Sequence, residues 1–286
     1  MSYRKKHIKG KIHKIKPKKS IFKMRWPWIT FLSLIIVFSA LYFFLFYSGV
    51  QVKNIIIFGN HKVASKDLEN LISDNINNKI LSIGDWEINS KSIFLVNSAR
   101  LDQEIQNKFT VIESVEINKE FMQTLELQVR ERAPVAVFCP KQTDDDCFSI
   151  DEKGIAFESS AILPADDIIV RQATNNGQIF TGKEVVQQNI MDLILKLEKD
   201  LKDNYQINLK TALIASLSRL NATTNENWQI YFDLSADSDI DSQLTKLNLL
   251  LSGQISADSR KNLRYIDLRP KDRAIVCDNM ECGSPH

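Results

Sequence analysis

The chain has 286 residues, a formal net charge of +2, 44% apolar residues, four cysteines and four histidines. The charge is unevenly spread: residues 1–25 hold eleven Lys/Arg and no acid, leaving 26 basic against 35 acidic residues, about −9, for the rest. So acidic a body has no nucleic-acid footprint, and so few histidines leave little for general-base or metal chemistry.

From Trp26 to Val52 the sequence is apolar and free of charge. The spacing predicts a helix over 26–50, long enough to cross a hydrocarbon core of roughly 30 Å, with Trp26, Trp28, Tyr42 and Tyr47 suited to its interfacial ends. Basic residues are retained on the cytoplasmic side, so the tail 1–25 is expected inside, held near anionic lipid. Everything after about Lys53 is then exported, behind an uncleaved signal anchor. Roughly 230 exported residues lead us to expect two domains.

Beyond the span, Val52–Phe58 reads as a strand ended by Gly59-Asn60. A helix follows, with Ser65 as its N-cap and Leu68, Leu71, Ile72 and Ile76 at helical spacing. A second helix is predicted over Ala99–Phe109, with Leu101 and Ile105 on one face. The period then changes to two: Val115 and Ile117, and after them Leu125, Leu127 and Val129, mark two strands. After Pro134 come short strands at Val135–Phe138, Phe148–Ile150, Ile155–Phe157 and Ile168–Val170. An apolar stripe from Val186 to Leu201 predicts a helix, followed by strands at Ala212–Leu220 and Trp228–Leu234. A further helix, Ile240 to Leu251, ends at Gly253. A last strand, Tyr265–Leu268 continuing to Ala274-Ile275-Val276, closes the chain's second half.

Cys139, Cys147, Cys277 and Cys282 all fall in the exported part. Their even number fits two local disulfides, and Cys139 and Cys147 bracket a turn-like segment between apolar runs. Zinc is the rival reading, but spacings of eight and five are loose for a four-thiolate site. Neither a GxSxG elbow, an HExxH helix nor a phosphate-cradling glycine loop occurs in the sequence. No catalytic residue, metal, cofactor or small-molecule substrate is therefore expected.

The segment Val115–Lys119 with Thr124-Leu125-Glu126-Leu127-Gln128-Val129-Arg130-Glu131-Arg132-Ala133-Pro134-Val135-Ala136 resembles the bacterial cell-division family FtsQ/DivIB. Phe148–Phe157 is similar to that family's hairpin, and Tyr265-Ile266-Asp267-Leu268-Arg269 with Arg273–Val276 to its closing strand. The resemblance implies an α+β chain: a single transmembrane helix, a POTRA domain (β-α-α-β-β) over 51–133, a mixed, mainly antiparallel β domain with two packed helices over 134–276, and a tail over 277–286. It also implies a non-catalytic scaffold in the plasma membrane at the septum, recruiting coiled-coil division proteins of the FtsB/DivIC and FtsL type. A POTRA-type envelope chaperone or secretion component binding extended polypeptide is the alternative. On the family analogy the Tyr265–Leu268 strand is the open edge, and Tyr265, Ile266, Leu268, Arg269 and Ile275 are the candidate partner-binding residues. Glu131, Arg132 and Pro134 are expected at the domain junction, the first two holding it by an ion pair.

Overall fold

The computed structural model describes residues 25–120, 123–140, 146–160, 167–173, 179–278 and 282. The basic tail, apart from Arg25, and most of the turn between Cys139 and Cys147 lie outside the described residues. The chain divides into two compact units. The first takes in the described residues up to Asn54 together with Ile76–Val96 and Glu120–Thr124; the second holds the remainder. The architecture is mixed α+β with several sheets.

In the first unit, helix α1 (Arg25–Phe46) is long and apolar enough to cross a membrane, and none of its residues is buried. Its 22 residues span ~33 Å at the rise of an α-helix. The expected end near residue 50 is corrected to Phe46, after which Ser48–Val50 forms a 3-10 turn. Gly49 in that turn is a poor helix former. The same unit contains a hairpin that the sequence reading did not separate from its surroundings: β2 (Asn78–Ile83) and β3 (Trp86–Ser90), joined through Gly84-Asp85. Gly84 takes a φ of 59°, the positive value a two-residue hairpin turn needs.

The second unit carries a three-stranded sheet, all but its end residues, in the order β1-β5-β4. Its strands are β1 (Asn54–Phe58), β4 (Ile112–Glu120) and β5 (Thr124–Glu131). With it come α2 (Ser65–Ile76) and α3 (Ser98–Lys108). Period-2 alternation sends Leu125, Leu127 and Val129 of β5 inward, while period 3.6 buries Leu68 and Ile72 of α2 and Leu101 and Ile105 of α3. Asn97 caps α3, its Oδ1 accepting from the Arg100 N–H at 3.2 Å.

The rest of this unit is a ten-stranded sheet built from β6 (Ala136–Cys139), β7 (Cys147–Ile150), β8 (Ile155–Ser160), β9 (Ile168–Gln172), β10 (Lys183–Glu184), β11 (Leu209–Ser216), β12 (Arg219–Thr224), β13 (Gln229–Asp233), β14 (Tyr265–Asp267) and β15 (Ile275–Cys277). Their spatial order is β10-β8-β7-β6-β9-β11-β12-β13-β14-β15. The pairings are antiparallel except β6–β9, β9–β11 and β13–β14. One core joins one face of this sheet to α4 (Gln188–Tyr205) and α5 (Ile240–Gly253), with Phe138, Ile150 and Phe232 from the strands and Trp228 just before β13 meeting Met191, Leu197 and Leu247 from the helices. Each such fully buried side chain contributes about 1.5–3 kcal/mol. A four-residue helix α6 (Ala257–Arg260) precedes β14.

The strand expected at Ala212–Leu220 is in fact the hairpin β11–β12, turning at Leu217-Ser218. An apolar residue at the tip, Leu217, hid the turn, although Ser216 Oγ marks it by accepting from the Ser218 N–H at 3.3 Å.

Candidate functional site at the terminal ribbon

The last three strands pair β13 parallel to β14 and β14 antiparallel to β15. The strand expected as the open edge, Tyr265–Leu268, is therefore interior, with neighbours on both sides. The outermost strand among the described residues is β15. Alternation separates the candidate partner residues. Ile266 and Leu268 belong to the buried core and offer nothing to a partner, whereas Tyr265 is half-buried and Ile275 is exposed. The sequence placed all of them on one strand-like run; the helix-facing side of the sheet claims every second one.

On the face of the sheet opposite the helices, Tyr265 meets Tyr231 of β13, ring centroids 5.5 Å apart and tilted by 50°. The Arg219 guanidinium lies 4.9 Å and the Arg269 guanidinium 5.7 Å from the Tyr231 ring centroid. Arg269 is held in place by Asp267, with Nε donating to Oδ1 at 2.9 Å and Nη2 to Oδ2 at 2.7 Å. This bond raises the Arg269 pKa above its ordinary value, and burial, first among several influences, raises that of Tyr231. The Tyr231 hydroxyl donates to Gln229 Oε1 at 2.5 Å. Tyr231 and Arg219 were missed by the sequence reading. Their signal was there, since Tyr231 stands between the core residues Ile230 and Phe232 in a period-2 strand.

The connection from β14 to β15 is tied to α5. The Lys246 ammonium donates to the carbonyls of Leu268 at 3.0 Å and Pro270 at 2.7 Å. Beside it lies a polar pocket of about 150 Å³, lined in part by Asp233, Asp239, Gln243 and Arg269. Among the described residues no group of three or more His, Cys, Asp or Glu side chains is placed to hold a metal ion.

Both cysteine pairs are joined: Cys139 to Cys147 across β6 and β7, with Cα atoms 4.4 Å apart, and Cys277 of β15 to Cys282, with Cα atoms 6.0 Å apart. The first pair lies with Val137 and Ile169 in a small cluster of its own.

At the predicted junction, Glu131 and Arg132 do not pair with each other. Arg132 Nη1 instead forms an ion pair with Asp151, both side chains under a tenth exposed, and Arg132 Nε donates to the Thr110 carbonyl at 3.1 Å. Asp151 Oδ1 also accepts from the N–H groups of Lys153 and Ile155, shaping the turn between β7 and β8. Gly154 in that turn has a φ of 74°, and a Cβ there would lie 2.0 Å from the Val186 carbonyl oxygen. Glu131 accepts from the backbone N–H groups of His61, Lys62 and Val63. Burial pushes its pKa up, but those donors outweigh it and hold the carboxyl below the usual range. The Lys153 ammonium does the same for Glu113. Pro134 lies exposed in the short link from β5 to β6.

No family model matches this chain, and no curated protein matches it in sequence.

Proposed function

We propose that the chain is a non-catalytic, single-span scaffold of the bacterial division machinery, of the FtsQ/DivIB type, which recruits small coiled-coil proteins of the FtsB/DivIC and FtsL type to the septum. The observation that carries this reading is the outermost strand β15, whose Ile275 and Val276 are exposed beside a face built from tyrosine and arginine. An outer strand presents a row of backbone donors and acceptors to which a partner segment can add, and Tyr and Arg are the side chains most enriched at binding hot spots. The order β1, α2, α3, β4, β5, interrupted by the β2–β3 hairpin, supports a POTRA assignment for 51–133. The sheet with two helices on one face supports the β domain over 134–276. In this reading the basic tail stays in the cytoplasm against anionic lipid, both folded parts are exported, and neither nucleic acid nor a small-molecule substrate is bound.

Two experiments test this. Depleting the protein should give long unseptated filaments; envelope stress with normal septation would instead support an exported chaperone. A photo-crosslinking residue at Ile275 should capture a small coiled-coil membrane protein, and recovery of none counts against β15 as the docking edge.

A further inference from the structure

We infer that the β2–β3 hairpin is a membrane-interface element, lying along the outer leaflet and placing Trp86 and Ile88 in the lipid headgroup region. The inference rests on reading α1 as the membrane span.

The last carbonyls of any helix lack intrahelical partners, and at the edge of a bilayer they must be satisfied by something other than lipid tails. In α1 those donors come from the base of β3 and from Ser92 just beyond it, and from Gln51, which follows the helix and pairs across to Ser92. Ser92 Oγ donates to the Phe44 carbonyl at 2.6 Å, Gln51 Nε2 to the Leu45 carbonyl at 2.7 Å, and Ser90 Oγ also to Leu45. Phe94 packs edge-on against Phe44, ring centroids 5.3 Å apart. A main-chain bond from Val52 N to the Lys91 carbonyl at 3.0 Å continues the seam. The base of the hairpin is thus fastened to the turn of α1 that leaves the hydrocarbon layer.

Above that base the ribbon is alone. Among the described residues it pairs with no third strand. A two-stranded hairpin is marginal in water without a surface on which to bury an apolar face. Trp86 is 82% exposed and Ile88 41%; they alternate along β3 with Glu87 and Asn89 and so share one side, leaving the charged residue on the other. Trp at the headgroup level is favoured because its ring is amphipathic. Phe94, exposed and packed on Phe44 of α1, adds a further apolar side chain at the hairpin's base. Continuity with the span selects lipid as the occupant, with a protein partner as the rival that the test excludes.

The test uses the full chain reconstituted in vesicles of phosphatidylethanolamine and phosphatidylglycerol, plain or brominated near the headgroup end of the acyl chains. One variant, W26F/W28F, leaves Trp86 and the buried Trp228; a second, W26F/W86F, leaves Trp28 and Trp228. Trp228 is shielded in the core, so its emission is common to both and reports that the fold is intact. If the hairpin lies at the boundary, brominated lipid quenches the Trp86 emission roughly twofold and shields it from acrylamide. Quenching of Trp28 but not of Trp86 overturns the inference and leaves the span standing. Quenching of neither overturns both.

Discussion

At one end of the ten-stranded sheet β10 offers Lys183 and Glu184, both exposed and charged; at the other β15 offers Ile275 and Val276, apolar and 40% and 38% exposed. Short, charged edge strands resist the addition of another strand, and an apolar edge does not. The β10 end is also braced from within the chain. Gly154 closes on the Val186 carbonyl there, and the buried Arg132–Asp151 pair fixes the turn leading into β8. If β15 docks a partner as proposed, the contrast separates stability and docking onto different edges of one sheet, and mutations can tell them apart.

The largest effect should come from damage common to both edges. Phe232 is fully buried at the centre of the core shared by β13, α4 and α5. Phe232→Ala should cost about 3–5 kcal/mol, read as a fall in the urea midpoint of the purified protein, and should abolish partner capture together with the fold. Retained capture at unchanged stability would show that the edges do not depend on that core. Next comes the β10 end alone. Asp151→Ala leaves the Arg132 guanidinium buried without its counter-charge and should cost about 3 kcal/mol, the low end for a broken buried pair, because the Thr110 carbonyl still accepts from it. Capture of a partner at β15 should survive under conditions where the variant remains folded.

How much of this was legible depends on which interaction decides each element. α4 and α5 were readable because one apolar stripe, Val186 to Leu201 or Ile240 to Leu251, sets their single buried face. The short strands β6 to β9 were readable as short apolar runs separated by turn signals such as Asp151-Glu152-Lys153-Gly154. What could not be read was neighbourhood. Nothing local in Tyr265–Asp267 tells that β15 folds back to cover it, since antiparallel partners are chosen by registers such as Ile266 with Val276. For the same reason nothing local shows that Arg132 pairs with Asp151, 19 residues away, or that Glu131 accepts from three backbone donors. The β2–β3 hairpin shows a different failure: Gly84-Asp85 is a hairpin signal, but Leu81 and Ile83 before it continue the apolar pattern of what precedes.

A smaller effect should appear on acidification. The pKa values of Glu113 and Glu131 are depressed in the folded protein, so their contribution is fully present above the unfolded value of ~4.3 and is lost as pH falls through the folded values. The urea midpoint should decline as the pH drops below about 4.3, and Glu131→Gln should flatten that decline while lowering stability at neutral pH. A decline unchanged in Glu131→Gln would assign the acid sensitivity to other carboxylates. Neither change should alter which edge docks.

The least effect on stability, and the sharpest on function, is expected from Ile275→Lys. The side chain is exposed on the outermost strand, where a charged substitution away from the core changes stability by no more than about 0.5 kcal/mol. Lysine on an edge is also a common natural device against strand addition, and it would make β15 resemble β10. The urea midpoint should therefore stay in place while crosslinking to the partner from a neighbouring exposed position, such as Arg273, is lost. Unchanged capture would mean that the partner is held by the Tyr231, Tyr265 and Arg219 face and not by the outer strand. In that case Arg219→Ala, which removes the guanidinium over the Tyr231 ring, becomes the substitution that weakens docking.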